Sequence, residues 1–159
     1  MSITFNPIGI IHSPFDTLED MPIQPTSQAS QPGTVEIYPP YTDGLKDLDG
    51  FSHIYLIYYL HCASPYKLTV TPFLDTQLRG LFSTRAPCRP NAIGLSLVQL
   101  TRIEGRCLYI DRLDILDQTP LLDIKPYIPE FESGENIRLG WLEQARGQVR
   151  TRKSDERFK

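Results

Sequence analysis

Apolar and polar residues alternate in short runs along much of the chain, a pattern typical of β-strands. Val35 and Ile37 stand between polar neighbours, and residues 93–100 repeat the same alternation. Residues 51–61 are almost uniformly apolar and aromatic, which indicates a long central strand. The predicted strands are residues 7–11, 34–38, 51–61, 68–70, 93–100, 106–116 and 121–124.

Turn-forming residues interrupt these runs at short intervals. Fourteen prolines and ten glycines leave little room for long helices. We expect loops over residues 12–33 and 39–50, and a hairpin turn at Glu104-Gly105. One helix is predicted over residues 135–148, where Ile137, Trp141 and Ala145 recur four apart. Many short strands with one late helix favour a mainly β barrel or sandwich.

Length and composition are those of a folded, single-domain protein. The chain has 159 residues, of which 40% are hydrophobic and 22% charged. No apolar run approaches the ~20 residues that span a membrane. No lysine or arginine precedes Lys46, so no secretory signal is predicted and a cytoplasmic location is expected.

Cysteine and histidine spacing argues against a metal centre. Cys62, Cys88 and Cys107 form no CxxC pair, and the three histidines do not complete a ligand set. We therefore expect reduced thiols and no bound metal.

Charge is unevenly distributed although the net value is only −3. Basic residues concentrate in residues 138–159, whereas the first 66 residues are acidic. The basic end could meet the acidic half of a second copy, or a polyanion, or it could be a solvated tail.

The most unusual segment is FSTRAPCRPNAIGLS, residues 82–96. Pro87 and Pro90 restrict the backbone here, so Arg85 and Arg89 lie on a stiff loop and not on a helix. A fixed guanidinium is well suited to a carboxylate or phosphate. The same arrangement also fits an arginine pair that braces the loop through backbone carbonyls.

An acidic turn and a strand end provide further polar candidates. In DQTPLLDIKPYIP, residues 117–129, alternation places Asp123 and Lys125 on one face. Paired acids there could act as a general base, or simply cap a turn. Asp114 interrupts an apolar strand and so needs a specific partner. His61 and Cys62 end the long apolar run.

The chain lacks the GxGxxG, GxxxxGK[ST] and GxSxG motifs, which disfavours those nucleotide-binding and hydrolase sites.

Together these segments resemble the TsaA-like family, whose characterised members are TrmO-type S-adenosylmethionine-dependent tRNA methyltransferases. The resemblance covers nearly the whole chain and is to the short form without a C-terminal extension. The matching motifs are PIGIIHSPF (7–15), MPIQP (21–25), DGLKDLDGFSHIYLIYYLH (43–61), FSTRAPCRPNAIGLS (82–96), DQTPLLDIKPYIP (117–129) and SDERF (154–158). Ala92 and Gln118 replace the usual proline of PNPIG and glycine of DGTP.

The resemblance implies a single-sheeted, antiparallel-rich β-barrel with few short helices, one near the C-terminus. The barrel domain would cover residues 1–149, and a basic tail residues 150–159. The family binds S-adenosylmethionine and acts as a homodimer with its site near the subunit interface. Matching motifs imply a cofactor site built from Gln24, Pro25, Thr26, His61, Cys62, Arg85, Leu95, Arg112, Leu113 and Asp114.

The implied reaction methylates N6 of threonylcarbamoyladenosine beside the tRNA anticodon. The acceptor nitrogen must lose a proton, and Asp117, Asp123 and Tyr127 are the candidate catalytic groups. Arg89, Asn91 and Lys125 are candidates for RNA contacts. Two alternatives remain open: a methyltransferase for another acceptor, and a non-catalytic barrel that binds S-adenosylmethionine or RNA.

Overall fold

The computed structural model describes residues 1–19, 21, 31–132 and 134–145. They form a mainly β structure, as predicted. The strands are β1 (Gly9–His12), β2 (Gly33–Ile37), β3 (His53–Tyr59), β4 (Thr69–Val70), β5 (Arg79–Gly80), β6 (Ile93–Glu104), β7 (Cys107–Asp111) and β8 (Thr119–Pro126). The helical segments are 3-10 turns at Pro39–Leu45, Leu48–Gly50, Leu81–Ser83 and Gly140–Ala145, and a short α-helix at Pro129–Glu132. No described helix is long and apolar enough to cross a membrane.

Six strands close into an antiparallel barrel in the order β1-β2-β7-β6-β3-β8. Closure depends on β8, which pairs with β1 through Thr119–Leu121 and with β3 through Leu121–Pro126. The β3–β8 register shifts between Ile57 and Tyr58, so a bulge lies there. This arrangement confirms the predicted closed β-barrel. A separate two-stranded sheet, β4-β5, lies outside the barrel order.

The barrel interior is filled by the inward positions of the alternating strands. Ile54 and Leu56 on β3 are fully buried, as are Val35 on β2 and Val98 on β6. A second, smaller buried cluster consists of Val70 on β4, Leu81 and Ala86. Because alternate residues of a strand face opposite sides, the same strands carry exposed residues outside the barrel.

Several element ends differ from the sequence prediction, each for a local reason. Strand β7 stops at Asp111 instead of reaching residue 116, because Arg112 adopts a φ of 62°, which a strand cannot contain. The expected loop over residues 39–50 contains two 3-10 turns, the first with proline at its start. Within the described part of the predicted helix over 135–148, only Gly140–Ala145 is helical, and Gly140 has a φ of 57°.

One glycine allows a close contact inside the barrel. Gly94 on β6 pairs with Tyr58 on β3, and a Cβ at position 94 would collide with the Tyr58 ring. Gly80, in contrast, has no atom within 4 Å of such a Cβ and has a φ of −61°. The tyrosine ring therefore occupies space that any side chain at position 94 would need.

Gly94→Ala should lower the free energy of unfolding by about 1–3 kcal/mol, the usual cost of overpacking a filled interior. Gly80→Ala is the matched control and should change stability by less than about 1 kcal/mol, because its backbone accepts alanine without strain. Urea denaturation of both variants measures the difference. Equal stabilities would show that the Tyr58 ring moves aside freely.

Candidate functional site

A cavity of about 440 Å³ lies between β6, the residues after β7 and residues 84–92, which we call the proline-rich loop. Its walls include Arg85 and Arg89 from the loop, Leu95 from β6, and Arg112 and Asp114. This volume falls in the range of small-molecule sites. Four residues predicted from the sequence as cofactor ligands thus meet at one place.

The proline-rich loop is held by its own hydrogen bonds. The Thr84 hydroxyl donates to the Leu81 carbonyl (2.7 Å) and accepts from the Ala86 N–H (3.2 Å). Ala86 and Cys88 are buried at 6% and 3% exposure. The alternating buried positions leave Arg85 on the outer side of the loop, exposed to solvent.

The two arginines of this loop have different environments. The Arg89 guanidinium donates to the carbonyls of Thr84 (3.0 Å) and Ala86 (3.3 Å) and lies 5.8 Å from the Phe82 ring centroid. Arg89 therefore braces the loop. Arg85 makes no hydrogen bond or ion pair within the described ranges and lies close enough to Asp114 to lower the pKa of that carboxyl. Arg85 is thus available to an anionic ligand.

The only tryptophan of the chain ties the C-terminal 3-10 turn to this loop. The Trp141 indole N–H donates to the Ser83 carbonyl at 2.9 Å, two residues before Arg85. The Arg79 guanidinium lies 5.9 Å from the Trp141 ring centroid and is held by Asp75 at 2.6 Å. Sequence reasoning placed Trp141 on a helix face and did not predict this contact.

A chain of three hydrogen-bonding side chains leads from the barrel interior to the cavity. The Ser96 hydroxyl donates to Asp114 Oδ1 at 2.7 Å. The hydroxyls of Tyr58 and Ser96 lie 3.0 Å apart. Since the single Ser96 proton is given to Asp114, Ser96 accepts from the Tyr58 hydroxyl. Tyr58 and Ser96 are both buried, at 7% and 3% exposure.

Burial raises the pKa of Asp114 to about 6, against the lowering effects of the Ser96 hydrogen bond and the Arg85 charge. Burial also raises the pKa of Tyr58 well above its usual range, so that its hydroxyl stays protonated as a donor. Sequence reasoning missed Tyr58 and Ser96. The available signal was that both lie at inward strand positions, where a hydroxyl needs a partner.

The other predicted cofactor residues lie nearby or outside the described part. His61 Nδ1 is 3.4 Å from the buried Thr119 hydroxyl, and Cys62 is exposed with a free thiol. Leu113 is fully buried in the core, and its N–H donates to the Gln31 carbonyl at 3.2 Å. Gln24, Pro25 and Thr26 lie outside the described residues, as does the predicted basic tail over residues 150–159.

Asp117 does not line the cavity. Its carboxylate accepts from the Ser13 N–H at 2.9 Å and from the Gln118 amide at 3.1 Å, and it lies 3.9 Å from His12. Burial acts to raise the pKa of Asp117, but these hydrogen bonds outweigh it and the net shift is downward. Gln118 has a φ of 61°, and its amide also reaches His12 Nδ1 at 3.1 Å. This cluster fastens the start of β8 to the end of β1.

The remaining candidates also lie outside the cavity wall. Asp123 and Lys125 form an ion pair at 3.0 Å, on the common face that alternation predicted. The Tyr127 ring contacts His53 and Tyr55 edge-on, with centroids 6.4 and 6.0 Å apart. Asn91 is exposed beside the proline-rich loop. Within the described ranges, no group of three or more potential ligands could hold a metal ion.

Comparison with known proteins gives consistent matches. The tRNA-methyltransferase O N-terminal domain family matches residues 10–133. A probable S-adenosyl-L-methionine-binding protein of Pyrococcus abyssi is 49% identical over 158 residues, covering 99% of this chain and 86% of that protein. A tRNA (adenine(37)-N6)-methyltransferase of Mus musculus is 38% identical over 138 residues, covering 82% of this chain and 32% of that enzyme.

The solved structures agree with the sequence matches. The crystal structure of TrmO from Pseudomonas aeruginosa has a TM-score of 0.75 and 37% identity, and the match covers 88% of this chain. The chain spans 62% of the length of that TrmO chain. These findings confirm the resemblance drawn from the motifs. The barrel, the proline-rich loop and these matches together show that the chain belongs to the family of the tRNA-methyltransferase O N-terminal domain.

Proposed function

We propose that this protein is an S-adenosylmethionine-dependent methyltransferase that modifies tRNA at N6 of threonylcarbamoyladenosine beside the anticodon. The observation that carries the proposal is the cavity wall, where Arg85, which has no partner among the described residues, lies with Leu95 and Arg112. S-adenosylmethionine carries a carboxylate at one end and positive charges on its ammonium and sulfonium groups. Arg85 thus offers the cofactor carboxylate a cation, in a cavity of small-molecule size.

Relatives support both halves of this proposal. The Pyrococcus abyssi relative is named for binding S-adenosyl-L-methionine, and the mouse and human relatives for methylating adenine 37 of tRNA. This chain matches about a third of the length of the mouse and human enzymes. The proposed tRNA substrate therefore rests on the similarity of the barrel alone. The threonylcarbamoyl group of the acceptor rests on the motif resemblance.

Individual residues take proposed roles in this reaction. Arg85 binds the cofactor carboxylate as a charge-assisted hydrogen-bond donor, and Leu95 packs in the cavity wall beside it. Arg112 lies in the same wall. The motif resemblance alone assigns to the cofactor site His61, Cys62, Leu113, Gln24, Pro25 and Thr26. Arg89, Asn91 and Lys125 would contact the RNA backbone or the threonyl carboxylate. The chain would position the acceptor nitrogen in line with the methyl–sulfur bond.

We extend the proposal to a homodimer. The outer faces of β3 and β6 present Tyr59, Ile93 and Leu95, which are 47%, 40% and 51% exposed, and Ile93 and Leu95 also belong to the cavity wall. Tyr59 and Ile93 are register partners, so the three side chains form one apolar patch. Such a patch next to a ligand site is a suitable subunit contact. The cytoplasmic location stays a prediction.

Arg85→Ala should weaken S-adenosylmethionine binding about 10- to 100-fold, because it removes a hydrogen bond between charged groups worth about 1.5–3 kcal/mol. Arg102→Ala is the matched control: Arg102 pairs with Glu104 at 2.8 Å on an exposed hairpin, away from the cavity. Isothermal titration calorimetry gives both dissociation constants. At a free cofactor concentration one hundred times its dissociation constant, the folded wild type should gain about 2.7 kcal/mol of stability. Equal affinity of the two variants would exclude Arg85 as a cofactor ligand.

The acceptor is tested with one tRNA prepared in two forms, with and without the threonylcarbamoyl group on adenosine 37. Incubation with methyl-labelled S-adenosylmethionine should label the modified form alone. Nuclease digestion and mass spectrometry should locate the methyl group on N6 of the modified adenosine. Cofactor binding without labelling of either form would favour another acceptor or a non-catalytic barrel.

A further inference from the structure

The cavity contains one carboxylate among the residues that line it, and that carboxylate is held by the barrel interior. Asp114 is the single acid in the described wall, which otherwise carries the cations Arg85, Arg89 and Arg112 and the imidazole of His53. A carboxylate that merely balances charge needs no fixed orientation. Asp114 instead receives the Ser96 hydroxyl at 2.7 Å, and Ser96 is fixed in turn by Tyr58 at 3.0 Å.

We propose that Asp114 is the proton acceptor of the methyl transfer, and that Ser96 and Tyr58 are positioning residues that hold its carboxylate at the cavity wall. This inference rests on the proposed function and deepens it, because it assigns the catalytic base. Ser96 holds Asp114 Oδ1, and the backbone N–H of Asp114 itself also favours the ionised carboxylate. Tyr58 is itself fixed by the close fit of its ring against Gly94.

The chemistry needs such a base. The acceptor nitrogen is bonded to a carbonyl, so its lone pair is delocalised and its N–H proton must leave. As the nitrogen attacks, the new N–CH₃ bond forms and the CH₃–S bond breaks, with its electron pair going to sulfur. The sulfonium becomes a neutral thioether, and the N–H proton moves to Asp114. The products are the methylated nucleoside, S-adenosylhomocysteine and a protonated carboxyl, so atoms and charge balance.

The groups suggested from the sequence are less well placed for this step. Asp117 is engaged by Ser13 and Gln118, and Asp123 by Lys125. Tyr127 lies among other rings. None of the three lines the cavity, in which the cofactor is proposed to bind.

The electrostatics of Asp114 match the role. A general base works best when its pKa is near the working pH, and burial raises the pKa of Asp114 to about 6. The charged and titratable groups that share its cavity or its hydrogen bonds are Arg85 and Arg89 on the loop, Arg112 on its own segment, and His53 and Tyr58 on β3. Arg85 favours the ionised form of Asp114, and protonated Tyr58 supports it through Ser96.

Single-turnover methylation from pH 5 to 8.5, at saturating S-adenosylmethionine and modified tRNA, tests the assignment. The wild-type rate should rise with pH and level off above an apparent pKa near 6. Asp114→Asn keeps the shape of the side chain and still accepts from Ser96. It should nevertheless lower the plateau rate about 10²- to 10⁴-fold and abolish the acid limb, which is the fall in rate at low pH. Asp49→Asn, at an exposed 3-10 turn, is the matched control and should keep the wild-type profile.

Ser96→Ala separates positioning from packing. Loss of its hydrogen bond should move the acid limb about one pH unit higher, because that bond lowers the pKa of Asp114. Ser96→Thr keeps the hydroxyl and should restore the limb. A merely structural role would change the rate without moving the limb.

The outcomes are distinct. If Asp114→Asn raises the dissociation constant of the cofactor but keeps the saturated rate, Asp114 is a cofactor ligand and the inference is wrong. If Asp117→Asn or Asp123→Asn causes the larger loss of rate, the base is that residue. If the wild type binds the cofactor and transfers no methyl group to modified tRNA, the proposed function itself fails and takes the inference with it.

Discussion

The barrel depends on one strand that serves two neighbours. Strand β8 pairs with β1 at its start and with β3 along the rest, and without it the sheet would have two open edges. Open edges leave rows of unpaired backbone groups, so this pairing allows a chain with few helices to bury its strands. It also brings segments far apart in sequence together, as when Asp117 binds the backbone of Ser13.

The site follows from the same geometry. Strand β3 lies between β8 and β6, and its register with β8 shifts at Tyr58, the residue whose hydroxyl leads to Ser96. Bulges commonly redirect side chains near functional sites. The barrel thus uses most inward positions for packing and two of them, Tyr58 and Ser96, for a polar link to its surface. The proline-rich loop forms the opposite wall of the cavity, with Arg89 fastened to the loop and Arg85 exposed.

Alternation was a reliable guide to the strands, because one face of each strand fills the barrel. The strand ends were less predictable: β7 stops where Arg112 takes a positive φ, and the apolar sequence continues past that point. Proline spacing was enough to predict a stiff loop at Arg85 and Arg89. It could not tell which arginine braces the loop, because that depends on which carbonyls the fold brings near. The Tyr58–Ser96–Asp114 chain needed the β3–β6 register, which links residues from three separate segments.

The contact between Trp141 and Ser83 gives the molecule an internal optical reporter. The chain has one tryptophan, and its indole donates to a carbonyl two residues from Arg85. Indole emission responds to hydrogen bonding and to nearby charge, and here both come from the β5 region and the loop that follows it, through Arg79 and Ser83. The tryptophan fluorescence of the unlabelled protein therefore reports on β5 and on the start of the proline-rich loop from a single position, without the averaging that several tryptophans would impose.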